Sequence, residues 1–148
     1  MEKVIIYTDG GSRGNPGPAA VGVVICNDQN QIIKTYNRYL GRGTNNEAEY
    51  QAAIYALQKV KLLFGKKKAL NLDIEMRLDS ELVVKQLNHQ YKIKEESTQT
   101  AFIQVWNLML DFNSVIFKHI RREENKEADK LVNQALDGQD NESALPGF

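Results

Sequence analysis

Four acidic side chains stand at the ends of predicted elements or on a core-facing helix stripe. They are Asp9, Glu49, Asp79 and Asp129. Taken singly, the aspartates have ordinary alternatives. Asp9 fits a turn after a strand, Asp79 a helix cap, and Asp129 an acid near a helix N-terminus. Together, four carboxylates would supply the hard oxygen ligands that divalent cations prefer.

Glu49 is the most informative of the four. The run Thr44-Asn45-Asn46-Glu47 fits a capping box, with Thr44 as N-cap and Glu47 at the third helical position. Glu49 is not needed for that cap, and its spacing to Ala53 and Ala56 places it on the core-facing stripe. A carboxylate there is costly unless it is paired, protonated or bound to a metal. A paired or rim-exposed acid remains an equal alternative for Glu49 alone.

Combining the four carboxylates predicts a metal centre. Adjacent parallel strands ending at Asp9 and Asp79 would place both at the sheet edge where open sheets bind ligands. Unpaired carboxylates within ~4 Å of one another repel by about 4 kcal/mol per pair at an effective dielectric of 20. Such a cluster persists only if groups protonate or cations bind. Without His or Cys ligands nearby, Mg²⁺ or Mn²⁺ is favoured over Zn²⁺. Two such ions about 4 Å apart can activate a water and stabilise the leaving oxygen of a phosphodiester.

The elements that must position these residues follow from apolar patterning. β-branched and alternating runs predict strands at 4–8, 19–26, 31–40, 72–78 and 115–118, with a hairpin turn at 27–30. Residues 10–18, with four glycines and two prolines, predict a loop. Helical spacing predicts helices from Thr44 to Gly65, from Ser80 to about Leu87, over Phe102 to Phe112, and over Ala128 to Ala135. This order predicts an α/β fold with a five-stranded mixed sheet, three strands antiparallel and then two parallel, covered by helices.

Bulk properties limit the class of protein. The 148 residues suit one domain, and we expect it to span 1–136, followed by a polar tail over 137–148. The net charge of zero gives no support to nucleic-acid binding by overall charge. No run is long enough to span a membrane, and the start at Met1 shows no signal peptide. The single cysteine, Cys26, fits a reducing cytosol. We therefore expect a free, cytoplasmic, monomeric protein rather than a piece of a polymerase.

The C-terminal tail ends in apolar residues, which a solvated segment does not require. Leu145 and Phe148 suggest either a disordered end or a segment that docks on the body or on a partner.

Four motifs together resemble the type 1 ribonuclease H family. They are Tyr7-Thr8-Asp9-Gly10-Gly11 with Gly14-Asn15-Pro16-Gly17-Pro18, then Thr44 to Glu49, Asp79-Ser80, and Glu124 to Asp129. The resemblance runs over residues 4 to 136. It implies a ribonuclease H-like fold and an Asp-Glu-Asp-Asp centre, formed by Asp9, Glu49, Asp79 and Asp129, that holds two Mg²⁺ ions, with Mn²⁺ as a substitute. His119 matches a family histidine that assists proton transfer or product departure; an ordinary strand-end histidine is the alternative.

The resemblance also implies substrate contacts. Asn15, Asn45 and Asn46 match residues that approach the minor groove of an RNA–DNA hybrid, whose 2′-hydroxyls can bond to amides. Thr44 matches a phosphate contact, and we include Ser12 among the substrate residues. Without the family, the Asn pair would be helix-start residues. The implied activity is endonucleolytic hydrolysis of the RNA strand, leaving 5′-phosphate and 3′-hydroxyl ends. A binding module with a decayed site, or a nuclease acting on DNA or duplex RNA, are the alternatives.

Two departures from the family bear on hybrid affinity. Glu81 stands where many bacterial members have Gln, which puts one minor-groove contact in doubt. The chain resembles a short form that lacks the basic protrusion, since residues 89–97 carry acidic as well as basic side chains. We therefore expect affinity to depend on four other cations: Lys118, Arg121, Arg122 and Lys126. The Gly-rich loop lacks the Gly-Lys-Ser/Thr ending of a nucleotide-binding P-loop.

Overall fold

Five strands form one mixed sheet in the computed structural model, which describes residues 2–142 and, for side chains, residues 2–138. The strands are β1 (Glu2–Ser12), β2 (Gly17–Cys26), β3 (Ile32–Gly43), β4 (Leu72–Leu78) and β5 (Ser114–His119). Their spatial order is β3-β2-β1-β4-β5. β1 pairs antiparallel with β2, and β2 with β3, whereas β1–β4 and β4–β5 are parallel. The predicted sheet is confirmed.

Helices cover both faces of this sheet. They are α1 (Asn45–Phe64), α2 (Lys66–Ala69), α3 (Glu81–Leu87), α4 (Glu96–Met109) and α5 (Lys126–Glu142), with a 3₁₀ turn at Arg122–Glu124. The main core joins the sheet to α1, α3 and α4, and α5 packs on the opposite face against β2 and β3. Within the described part of the chain, no helix is long and apolar enough to cross a membrane.

The start of α1 is held close to β1, and this contact positions the site. Thr44 and Glu47 form the predicted capping box, and Gly65 ends the helix as expected. A Cβ on Gly10 would lie 2.2 Å from the backbone of Ala48, so only glycine permits this approach. The first turns of α1 therefore lie directly against the strand that carries Asp9.

Two local predictions were wrong. β1 does not end at Asp9 but continues to Ser12, because residues 9–12 remain paired with β2 after the pairing with β4 has stopped at Thr8. The predicted loop over 10–18 is therefore reduced to a few residues. Phe112 lies beyond the end of α4 at Met109, although it is still buried.

The last helix is longer than its apolar spacing indicated. α5 continues to Glu142, so the first part of the expected 137–148 tail is helical. Asp137 accepts a 2.7 Å hydrogen bond from Arg13, which ties this turn to the loop after β1. Leu145 and Phe148 lie outside the described residues, so their docking stays a prediction.

Candidate active site

Three of the four predicted carboxylates meet at one edge of the sheet. Carboxylate oxygens of Asp9, Glu49 and Asp79 lie within 4.8 Å of one another. The parallel pairing of β1 with β4 sets Thr8 opposite Leu78, so Asp9 and Asp79, which follow these residues, lie side by side where that pairing ends. Glu49 is added from the second turn of α1. Three distant segments thus converge on one acidic cluster.

Burial and mutual repulsion both oppose the charged forms of these groups. Burial, followed by the charge of Asp79, raises the pKa of Asp9 to about 7. Burial, and then the charge of Asp9, raises the pKa of Glu49 well above its usual value. Oε1 of Glu49 accepts a 3.3 Å bond from the N–H of Gly10, whereas Oε2 is buried without a partner among the described residues. An unpartnered buried carboxylate oxygen among other carboxylates is a site suited to a cation.

Asp129 lies at the exposed rim of this cluster rather than inside it. It sits in the first turn of α5 and is exposed. The charge of Asp129 is one of the causes of the raised pKa of Asp9, so the two side chains are neighbours. The structure therefore brings the fourth predicted carboxylate to the site, outside the tight group of three.

Asn125 is a site residue to which the sequence reading gave no role. It is 1% exposed, and its Nδ2 donates to the carbonyl of Thr8 at 2.8 Å and to Oδ2 of Asp79 at 3.1 Å. It thereby links β1, Asp79 and the start of α5. The sequence signal was its place in the motif Glu124 to Asp129, but an Asn before a helix ordinarily reads as a cap.

His119 ends β5, whose pairing places it opposite Leu78. Its Nε2 lies 3.3 Å from the backbone oxygen of Asp79, and the side chain is exposed. The predicted histidine therefore stands beside the acidic cluster and in contact with solvent.

The acidic cluster forms part of the floor of a cleft of about 610 Å³, which Ser12, Asn15, Asn45 and Asn46 also line. Oδ1 of Asn45 accepts from the N–H and hydroxyl of Ser12, at 2.9 and 3.2 Å. Oδ1 of Asn15 accepts from the N–H of Asn45 at 2.9 Å. These bonds fix the amide oxygens, and within residues 2–138 no bond is found for the NH₂ groups of Asn15 and Asn45. Thr44 is not among the lining residues; its hydroxyl caps α1 by accepting from Glu47.

The basic residues expected to bind substrate are not all at the cleft. Of the four cations proposed from the sequence, only Arg122 lines it. Arg121 pairs with Glu124 at 3.4 Å. Glu81 is exposed and forms an ion pair with Lys85 at 2.8 Å. It is not among the residues that line the cleft.

Comparison with known proteins gives close matches over most of the chain. A family model described as "Reverse transcriptase-like" matches residues 7–135. Ribonuclease HI of Halobacterium salinarum is 40% identical over 135 residues, covering 91% of this chain and 65% of that protein. A bifunctional protein of Mycobacterium tuberculosis is 35% identical, over 91% of this chain and 36% of its own length. The chain thus spans less than two thirds of these curated relatives.

Solved structures agree with these matches. LC11-RNase H1, isolated from compost by a metagenomic approach and solved in complex with an RNA/DNA hybrid, superposes with a TM-score of 0.87 at 41% identity. The match covers 92% of this chain and 98% of that one. RNase H1 of Halobacterium salinarum gives a TM-score of 0.84 at 40% identity, with the same coverage of both chains.

Proposed function

Because the chain belongs to the type 1 ribonuclease H family, we propose that it is an endonuclease that hydrolyses the RNA strand of RNA–DNA hybrids, leaving 5′-phosphate and 3′-hydroxyl ends. The observation that carries the proposal is the group of Asp9, Glu49 and Asp79, whose oxygens lie within 4.8 Å of one another on the floor of an open cleft. The LC11 relative, solved with an RNA/DNA hybrid, supports the choice of substrate.

The donor set of the cluster fits divalent metal ions. Carboxylate oxygens, one of them buried without a partner, match the preference of Mg²⁺ and Mn²⁺. Asp9, Glu49 and Asp79 would hold the metal, and Asp129 would complete the set from the rim. Two Mg²⁺ ions, when bound, would supply an activated water and stabilise charge on the leaving oxygen. Asn125 would hold the Asp79 carboxylate in place through its 3.1 Å bond.

The asparagines at the cleft would recognise the minor groove of the hybrid. The bonds that fix the oxygens of Asn15 and Asn45 leave their NH₂ groups as donors toward 2′-hydroxyls and bases. Asn46 donates to Thr98 at only 3.5 Å, a weak bond that a substrate can replace. The side chain of Ser12 would join them, and the hydroxyl of Thr44 would donate to a phosphate while still accepting from Glu47.

His119 would act as a proton carrier at the exposed rim. An imidazole nitrogen can accept a proton and pass it on, and this side chain is exposed to water. Its position beside Asp79 suits transfer of a proton to the leaving group or help with product departure.

The chain would perform these steps as a cytoplasmic monomer, and light scattering with and without hybrid would check its oligomeric state.

The decisive experiment is cleavage of three labelled substrates by the full chain: an RNA–DNA hybrid, duplex DNA and duplex RNA. Each is incubated with Mg²⁺, with Mn²⁺ or with chelator. We expect cleavage of the RNA strand of the hybrid with either metal and none with chelator, and end analysis should give 5′-phosphates. Binding of hybrid without cleavage in either metal would instead identify a binding module. Preferred cleavage of either duplex would refute the proposed substrate.

A further inference from the structure

Beyond the cleft, three cations surround a pair of tyrosines on the surface where β3 meets α1. We call this group the cation–tyrosine cluster; it contains Lys34, Tyr36, Arg38, Tyr55 and Lys59. The two rings meet edge to face, with centroids 6.3 Å apart. Lys59 lies 5.3 Å from both ring centres, Lys34 lies 5.8 Å from Tyr36, and Arg38 lies 5.9 Å from Tyr55. The rings therefore gather three positive charges into a small area.

Among the residues whose side chains the structure describes, none of these three charges has an acidic counterpart. Across residues 2–138, no carboxylate forms an ion pair with Lys34, Arg38 or Lys59. Other basic residues nearby in the sequence are neutralised: Lys61 of α1 pairs with Asp111, and Lys68 of α2 pairs with Glu2. A surface that concentrates unpaired positive charge is complementary to a polyanion.

The cluster lies on the two elements that lead to the cleft. Tyr55 is ten residues after Asn45 on α1, about 15 Å along the helix. Arg38 is six residues before Thr44, about 20 Å along an extended strand. A nucleic acid held at the cleft carries one charge about every 3.4 Å along each strand, so some five phosphates separate the two sites.

We propose that the cation–tyrosine cluster binds the phosphate backbone of the nucleic acid that flanks the cleaved segment. The two tyrosines hold the cations in position, and Lys34, Arg38 and Lys59 contact phosphates without reading sequence. The identity of the nucleic acid as a hybrid rests on the proposed function. The cluster gives this chain, whose net charge is zero, a local electrostatic contact outside the cleft.

The salt dependence of binding tests this assignment. Affinity of the full-length protein for an RNA–DNA hybrid of two helical turns is measured in chelator at increasing NaCl. We expect Lys34→Gln/Lys59→Gln to lower the slope of log K against log salt by about two, since each lost phosphate contact removes about one. The matched control, Lys66→Gln/Lys67→Gln, removes the same charge from exposed α2 positions and should leave the slope unchanged. Lys34→Arg/Lys59→Arg should retain the parent slope.

Melting temperatures of all variants establish that each is folded, and cleavage at saturating hybrid should be unchanged in Lys34→Gln/Lys59→Gln. An unchanged slope in this variant, or an equal change in the α2 control, would overturn the inference. If the parent cleaves hybrid while that slope is unchanged, the cluster fails and the proposed function stands. If the parent does not cleave hybrid, but Lys34→Gln/Lys59→Gln still lowers the slope of log K against log salt, the cluster stands and the proposed function fails.

Discussion

Two buried glutamates in this molecule have opposite electrostatic surroundings. Glu49, 6% exposed, faces Asp9 and Asp79, and its pKa is raised by burial and by those charges. Glu75, 5% exposed, lies on β4 between Lys3 at 3.1 Å and Arg77 at 2.7 Å. Burial opposes the charge of Glu75 as well, but the hydrogen bonds from these cations outweigh it, and its pKa is lowered.

The comparison separates a carboxylate that the chain pairs with cations from one that it does not. The chain itself neutralises Glu75, and Arg77 extends this network by donating to the hydroxyl of Tyr7 at 2.7 Å. Glu49 receives no cation from the described residues and leaves one oxygen without a partner. Equal burial therefore has opposite consequences: one group stabilises the fold, and the other is left for a proton or a cation to neutralise.

The largest expected effect is loss of catalysis when the acidic cluster loses a ligand. Asp9→Asn or Asp79→Asn should reduce hybrid cleavage by about a thousandfold or more, since several kcal/mol of metal-based stabilisation is removed. The measurement is single-turnover cleavage in Mg²⁺, with Glu75→Gln as the buried control that retains activity. Retained Mg²⁺-dependent hydrolysis in either aspartate variant would refute the metal assignment.

The second effect concerns the stability of the folded chain. Glu75→Gln should lower the free energy of unfolding by about 2–3 kcal/mol, because it leaves Arg77 partly buried without its counter-charge, while half-exposed Lys3 loses less. Glu49→Gln, measured without metal, should be neutral or stabilising, since it removes repulsion. Urea unfolding in chelator compares the two. Equal destabilisation by both substitutions would contradict the proposed difference between Glu75 and Glu49.

A third test uses pH. The pKa of Asp9 is raised from 3.8 to about 7 in the folded state. Between these two pH values the folded chain therefore binds a proton that the unfolded chain has lost. The contribution of Asp9 to stability is complete below pH 3.8 and is lost as pH rises through about 7. We expect the metal-free protein to lose about 1–2 kcal/mol over this range, less than an isolated group would give, since the cluster titrates jointly.

Asp9→Asn should show a flatter profile over the same pH range, and Mg²⁺ should flatten that of the parent. Urea unfolding at several pH values makes both comparisons. A parent profile that rises between pH 4 and pH 7 in chelator, and that Asp9→Asn does not alter, would contradict the assigned direction.

The smallest expected effect is at the exposed rim. His119→Ala should lower the turnover number about tenfold without abolishing it, because a proton carrier is partly replaced by water. Hybrid binding should be unchanged in this variant, so the loss appears in turnover and not in affinity. Complete inactivity would make His119 a member of the metal centre rather than a helper.

The sequence predicted the position of Glu49 on the core-facing side of α1, but it did not predict the role of Glu75. Helical spacing is local, so the position of Glu49 on the core-facing stripe can be read from residues 49–57 alone. Alternation on β4 groups Glu75 with the polar residues, and its partner Lys3 belongs to β1, which the β1–β4 pairing brings alongside. Asn125 was missed for the same reason, since its partners are Thr8 and Asp79. Periodicity predicts the elements; long-range pairing decides which polar residues they bury.

The bond from Asn125 to the carbonyl of Thr8 joins residues 117 positions apart, and this has a consequence for biosynthesis. Domains fold during or after translation as their segments leave the ribosome, N-terminal parts first. Asp9, Glu49 and Asp79 all emerge before Asn125 and Asp129, so a growing chain carries most of the acidic cluster while its last supports are still missing. For the proposed nuclease, hydrolytic competence should therefore arise only after α5 has left the ribosome.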